Sequence, residues 1–216
     1  MGYGFRRHHL VWLDPAHPGI VAADTPTLAT ARAWLAAGRP CVVRRREATE
    51  SPEILALGLP LPPRLGRHRL ALRAPVAALV RHARPPALAE VGCSLPGPWR
   101  QRSQALETAC AGCGADLRVY GSCAWEWLTG ERYIASGSDL DVLVVPDGAA
   151  GAVLGALAAE ASAAGPRLDG EIVLPDGGCV AWRELIGRGR EILVKDESAV
   201  TLRRRDEVAS ALGIAH

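Results

Sequence analysis

The hydrophobic pattern of the C-terminal part alternates strand-sized apolar runs with helical stretches. "PWRQRSQALETACAG" predicts a helix with Leu106 and Ala109 on one face. "DLRVYGS" is a short strand ending in a turn, and "SCAWEWLTG" a short helix with Ser122 as N-cap and Gly130 just past its end. "SDLDVLVV" is a strand, "GAAGAVLGALAAEASAAG" an Ala-rich helix closed by Gly165-Pro166, and "RLDGEIVLP" another strand. "VAWRELI" follows as a short helix, "REILVKD" and "AVTLRR" as strands, and "RDEVASALG" as a last helix. Helices flanking a small mixed sheet are an α/β (α+β) pattern.

The N-terminal part is less regular. "HHLVWL" reads as a strand. "TPTLATARAWLAAGRP" reads as a helix starting after Thr25, with Pro26 in its first turn and Gly38 ending it. "CVVRRR" and "RHRLALRAP" look like strands. Together they predict a small α+β domain. Breakers gather in "LGLPLPPRLGRHRLAL" and in "RPPALAEVGCSLPGPW", which reads them as loops or boundaries. The second cluster places a domain boundary near residues 90–98, dividing the chain into 1–95 and 96–216.

Composition is that of a globular chain: 49% apolar and 22% charged residues. A net charge of +2 argues against a nucleic-acid coat or a polybasic membrane anchor. The N-terminus lacks the long apolar segment of a signal peptide, and the best apolar run, "DVLVV", is only strand-sized. These features predict a cytoplasmic protein whose six Cys are reduced thiols. Cys110 and Cys113 form a C-x-x-C, but no second metal-ligand pair answers it, so a zinc or redox role is a weak signal. Arg clusters at Arg44–Arg46 and Arg203–Arg205 read as solvated surface, or more sharply as a landing patch for an acidic partner or a polyphosphate.

The chemistry concentrates between Val119 and Glu171. Residues i and i+2 of a strand share a face, so Asp139 and Asp141 project together, their Cα atoms about 7 Å apart. From Val142 onward the strand is apolar on both faces, as in a covered central strand. Two like charges there repel and lose solvation. A divalent cation answers both problems. Mg²⁺ takes oxygen ligands and is commonly held by one or two carboxylates plus substrate phosphates. Two such ions can clamp the attacking and leaving oxygens of a phosphoryl displacement. A third carboxylate is then expected from a neighbouring strand. Asp169 and Glu171 both offer it, again at i and i+2, and the sequence leaves the choice open.

Gly121 and Ser122 complement this acidic pair. A turn into a helix N-terminus presents N–H groups and the positive end of the helix dipole. Gly121 lets the backbone approach a phosphate, and the Ser122 hydroxyl adds a donor. Taken singly, a Gly-Ser pair is an ordinary cap and a D-x-D an ordinary strand end. The ordered set of strand, GS, short helix, D-x-D strand, long helix and acidic strand is more specific.

At these residues the sequence resembles the nucleotidyltransferase superfamily. More closely, "YGSCAWEWLTGERYIASGSDLDVLV" and "RLDGEIVLPDGGCVAWRELI" resemble the malonate decarboxylase holo-acyl-carrier-protein synthases, also called phosphoribosyl-dephospho-coenzyme A transferases. The N-terminal "RHHLVWL" and "LPLPPRLGRHRLAL" are similar to that family as well. The resemblance implies a nucleotidyltransferase-like C-terminal domain with catalytic carboxylates at Asp139 and Asp141. It implies transfer of the prosthetic group from 2′-(5″-triphosphoribosyl)-3′-dephospho-CoA to a Ser of the malonate decarboxylase acyl-carrier subunit, with release of pyrophosphate.

The expected mechanism is in-line attack of that Ser on the α-phosphorus, assisted by Mg²⁺ at Asp139, Asp141 and either Asp169 or Glu171. Lys195 and Arg132 are further phosphate-binding candidates, although surface cations are the default reading. Trp125 and Trp127, at i and i+2 on the short helix, point in different directions, so at most one faces the site. Arg44–Arg46 is the expected docking surface for an acidic carrier. Two other classes stay open: a different metal-dependent nucleotidyltransferase using ATP on a small-molecule or protein acceptor, and a non-catalytic binding module. The second would need a lost carboxylate, and none is missing.

Overall fold

The computed structural model describes residues 5–47 and 50–214. The "MGYG" that opens the chain lies outside the described residues. The chain forms two compact units, one running up to Pro85 and including Asp196–Ala199, the other comprising Pro86–Lys195 and the chain from Val200 onward. Each contains a six-stranded sheet.

In the first unit, β1 (Leu10–Leu13), β2 (Val21–Ala22), α1 (Thr25–Ala36), β3 (Cys41–Val43), β4 (Ile54–Pro60), β5 (Arg69–Pro75) and β6 (Leu79–Ala83) follow in order. The sheet order is β2-β5-β4-β3-β1-β6, antiparallel throughout. Asp24 caps α1, its Oδ1 accepting from the Thr27 N–H at 2.7 Å. Ala31, Trp34 and Leu35 form the buried stripe of the helix.

Two sequence expectations change here. The strand "CVVRRR" stops at Val43, and Arg44 instead donates from Nε to the Leu57 carbonyl. "LGLP", read as part of a loop, lies within β4. Pro60 is tolerated because it ends the strand, beyond the last β3–β4 pair at Val42–Gly58, where no ladder donor is needed.

The second unit contains α2 (Leu88–Gly92), α3 (Gly97–Cys110), β7 (Ala115–Tyr120), α4 (Gly121–Thr129), β8 (Leu140–Pro146), α5 (Ala150–Ser162) and β9 (Leu168–Val173). β10 (Cys179–Ala181), α6 (Trp182–Ile186), β11 (Glu191–Lys195), β12 (Val200–Arg204) and α7 (Arg205–Ala211) complete it. Sheet order follows chain order in reverse, β12-β11-β10-β9-β8-β7. Neighbours are antiparallel except β8 and β9, which run parallel and are joined through α5. That crossover is what a parallel pair requires.

One face of this sheet, carrying Leu140, Val142 and Val144 of β8 and Leu168 and Ile172 of β9, packs with Leu106, Val153, Leu157 and Trp182 from the helices. Alternation therefore turns Asp141 and Asp169 to the opposite face. The stripe that α3 buries is Arg102, Ser103, Leu106 and Cys110; Ala109, expected beside Leu106, is exposed. Leu88, Val91 and Leu95 join this core, so the passage between units falls at Pro85–Pro86, ahead of the division at residue 95 expected from the breakers. Among the described residues no helix is long and apolar enough to cross a membrane.

Candidate active site

The central feature is a row of residues across three strands. Asp141 of β8 pairs with Tyr120 of β7 on one side and with Asp169 of β9 on the other. Paired residues share a face, so Asp141 and Asp169 stand level on the face away from the helical core. Asp139 lies just before β8, and its backbone carbonyl faces the Cys123 thiol of α4 at 3.8 Å. The segment leading to Asp139 is fixed from α4 as well: Glu126 Oε2 accepts from the N–H groups of Tyr133 and Ile134, both at 2.8 Å. Glu126 was not anticipated, because an acid on a short helix ahead of a loop carries no signal of a loop anchor.

Two glycines make this row possible. Gly121 has φ +67°, and a Cβ there would overlap the Asp141 carboxylate. Gly170 has φ +144°, and its Cβ would strike the Val142 carbonyl on β8. Only glycine fits both positions. The Gly121 turn also explains a difference at α4. Tyr120, not Ser122, is the N-cap, and it makes no side-chain capping bond; Gly121 and Ser122 are the first helical residues. The N-terminus of α4 thus lies directly beside the Asp141 carboxylate.

The two alternatives for a third acid have different surroundings. Asp169 is partly exposed, and its Oδ1 accepts from the Gly170 N–H at 2.9 Å. Arg167 Nη2 lies 2.9 Å from Asp169 Oδ2, while its Nη1 lies 3.5 Å from Asp139 Oδ2. One guanidinium therefore bridges Asp139 and Asp169. Arg183 approaches from α6, its Nε 4.0 Å from Asp169 Oδ1. Glu171 sits one step further along β9, level with Leu143, and is buried. Lys195 Nζ donates to Glu171 Oε1 at 3.1 Å, so this candidate phosphate ligand is engaged by an acid. Arg167 and Arg183 were missed in the sequence because each precedes or follows an apolar run and reads as a solvated flank.

The remaining candidates separate. Arg132 is exposed on the connection between α4 and β8. Trp125 is buried, with its ring 6.5 Å from that of Tyr133, whereas Trp127 is 42% exposed. Each member of the Arg203–Arg205 cluster has its own partner: Asp176 at 2.6 Å, Asp206, and the Gly187 carbonyl at 2.6 Å. Asp176 is held below the usual carboxylate range by the Arg203 hydrogen bond. Within the first unit, Arg44 donates to backbone carbonyls and is half-buried, which leaves Arg45 as the exposed member of that run.

Cys110 is a free thiol, pushed up to about 11 first by burial and then by Cys113 and Glu160. Burial, then Asp141 and Glu126, pushes the Cys123 thiol up to about 12. Both favour the protonated, weakly nucleophilic form. Among the described residues, no three His, Cys, Asp or Glu side chains converge into a preformed metal cluster.

The chain is a transferase of two α+β units. It belongs to the phosphoribosyl-dephospho-CoA transferase family: residues 78–206 match the phosphoribosyl-dephospho-CoA transferase MdcG C-terminal domain, and residues 6–85 its N-terminal domain. A relative from Xanthomonas campestris pv. campestris (strain 8004), named phosphoribosyl-dephospho-CoA transferase, is 39% identical over 193 residues, covering 88% of this chain and 89% of the relative. Another with that name, from Bradyrhizobium diazoefficiens (strain JCM 10833 / BCRC 13528 / IAM 13628 / NBRC 14792 / USDA 110), is 36% identical over 212 residues, covering 96% of this chain and 94% of the relative. No solved structure gives a significant match.

Proposed function

We propose that this chain transfers the phosphoribosyl-dephospho-CoA group from 2′-(5″-triphosphoribosyl)-3′-dephospho-CoA to a Ser of the acyl-carrier subunit of malonate decarboxylase, in the cytoplasm. Family membership and the name that the relatives carry support the group transferred. The observation that carries the site is the level pairing of Asp141 with Asp169, beside the Gly121 end of α4.

The donor set suits Mg²⁺. It consists of carboxylate oxygens only: Asp141 and Asp169 level on one sheet face, and Asp139 just ahead of β8, with Asp139 and Asp169 within reach of a single guanidinium. Mg²⁺ usually keeps waters and takes substrate phosphates alongside one or two carboxylates. A site completed by the donor's triphosphate fits these residues; a protein-only cage does not. Asp141 with one of Asp139 and Asp169 would hold the metal, the donor's phosphates completing its shell. When bound, it would neutralise the triphosphate and lower the pKa of the attacking hydroxyl.

The chain's own residues do the rest. The N–H groups at the start of α4, with the Ser122 hydroxyl, orient the departing phosphates. The carrier's Ser oxygen attacks the α-phosphorus, the bond from that phosphorus to the oxygen bridging to the β-phosphorus breaks, and pyrophosphate leaves. The hydroxyl proton passes to a carboxylate of this site, and the partly exposed Asp169 is more accessible to it than the buried Glu171.

Intact-mass analysis of the apo carrier subunit, incubated with this protein, Mg²⁺ and the donor, tests the reading. A gain equal to one phosphoribosyl-dephospho-CoA group is expected. No gain, with ATP consumed instead, would move the assignment to a different nucleotidyltransferase.

A further inference from the structure

Asp139 and Asp169 already carry countercharges, and the two arginines that supply them differ in kind. Arg183 is pinned. Its Nη2 donates to the Leu168 carbonyl at 2.7 Å, and its guanidinium lies 4.4 Å from the Trp182 ring centroid. Arg167 is held only at its root. Its carbonyl accepts from the Leu140 N–H at 2.8 Å, which fixes its backbone where β8 and β9 begin. Its side chain is 60% exposed and reaches out to Asp139 and Asp169. Such solvent-facing ion pairs are weak and readily exchanged.

We infer that Arg167 is an exchangeable countercharge: it holds Asp139 and Asp169, yields them to a divalent cation, and then turns to the polyphosphate of the donor. The inference rests on the transfer reading above. A cation entering between Asp139 and Asp169 meets a guanidinium 2.9 Å from one carboxylate and 3.5 Å from the other, and like charges at such range repel. Arg167 must therefore leave when a divalent cation arrives. Its planar fork suits phosphate oxygens, and its fixed root keeps it beside the carboxylates once released. Arg183 cannot make this exchange without giving up the Leu168 carbonyl and the Trp182 face.

The roles predict effects of opposite sign in one variant. Mn²⁺ binding to the free protein, read by electron paramagnetic resonance, should tighten by about 2–5-fold in Arg167→Gln, the scale of removing one exposed like charge. Binding of inorganic triphosphate at saturating Mn²⁺, read by calorimetry, should weaken by about 10-fold in the same variant. Arg167→Lys, which keeps the charge without the fork, should leave Mn²⁺ binding near wild type and weaken triphosphate binding.

A fixed structural clamp would behave differently: its loss would disorder the carboxylates and weaken Mn²⁺ binding, which would overturn the inference. Equal Mn²⁺ binding by wild type and Arg167→Gln, abolished in Asp141→Asn, would overturn it while leaving the transfer reading intact. Tighter Mn²⁺ binding with unchanged triphosphate binding would remove the phosphate role. No Mn²⁺ binding by any variant would overturn the metal reading and the inference together.

Discussion

Asp141 of β8 and Asp169 of β9 face each other directly across the parallel strand pair of the second sheet. Adjacent strands lie about 4.8 Å apart, so two carboxylates in register share one small region of the open face. Glu171, one step along, is level instead with Leu143 and paired with Lys195. The register therefore ranks the acids, and the ranking can be tested.

Asp141→Asn and Asp169→Asn should each lower turnover by at least about 10²-fold, the scale of losing one electrostatic stabiliser of the transition state. Both should fold: each removes a like charge from its neighbour, and after Asp169→Asn the exposed Arg167 turns to water while Arg183 keeps the Leu168 carbonyl. Glu171→Gln should act on stability instead, costing about 1 kcal/mol by weakening a charged hydrogen bond whose Lys195 partner can still reach water. Single-turnover rates and thermal unfolding of the three variants check this. Greater loss of turnover in Glu171→Gln than in Asp169→Asn would reverse the ranking.

Gly121→Ala should be severe for its size. A methyl group meets the Asp141 carboxylate, and φ +67° costs an L-residue about 1–2 kcal/mol. The expected result is a folded protein with a melting temperature lowered by several degrees and turnover reduced at least as much as in Asp141→Asn. A variant with near-normal turnover would show that the carboxylate can move without consequence.

His9 gives the first unit a pH dependence. Burial, then His82, Arg6, Arg84 and His8, lower its pKa to about 4, and its Nδ1 is buried without a hydrogen-bond partner. The ordinary value is about 6.5, so between the two the unfolded chain binds a proton that the folded chain does not. Stability from neutral His9 is present above pH 6.5 and is lost as pH falls towards 4. Thermal unfolding should therefore show a smaller loss between pH 7 and pH 5 in His9→Gln than in the wild type. Equal losses would rule out His9 as the source.

Thiol reactivity should follow exposure. Cys93 is exposed, whereas Cys41 and Cys123 are buried and pushed up to about 12. An alkylating reagent at pH 8 should label Cys93 first and reach Cys41 and Cys123 only on unfolding. Peptide mapping after a timed pulse reads the order. Early labelling of Cys123 would mean that the α4–β8 packing opens readily.

Much of the second unit was legible because its strands and helices differ in period. "DVLVV" and "EIVL" announce β8 and β9, and the breakers Gly130 and Gly165-Pro166 mark helix ends. Asp169 and Glu171 do lie at i and i+2 of one strand, whereas Asp139 falls one residue ahead of β8, outside the strand that the same reading gave it. Register was not legible. Whether Asp169 or Glu171 stands level with Asp141 depends on the pairing of β8 with β9, and Gly170 fixes it through a backbone contact. The N-cap was misplaced at Ser122 because a positive φ at Gly121 cannot be read from a Gly-Ser pair. In the first unit, β2 is too short for a pattern, and β6, "LVRHA", has exposed middle residues. Arg167 and Arg183 could have been found only by asking what balances three acids on one face.

The most direct measurement is anomalous diffraction from crystals grown with Mn²⁺ and the triphosphoribosyl donor. Manganese is expected within coordinating distance of Asp141 and at least one of Asp139 and Asp169, with the triphosphate against the Gly121 end of α4 and Arg167 turned towards it. Manganese bound elsewhere, with these carboxylates still paired to Arg167 and the triphosphate away from α4, would contradict that expectation.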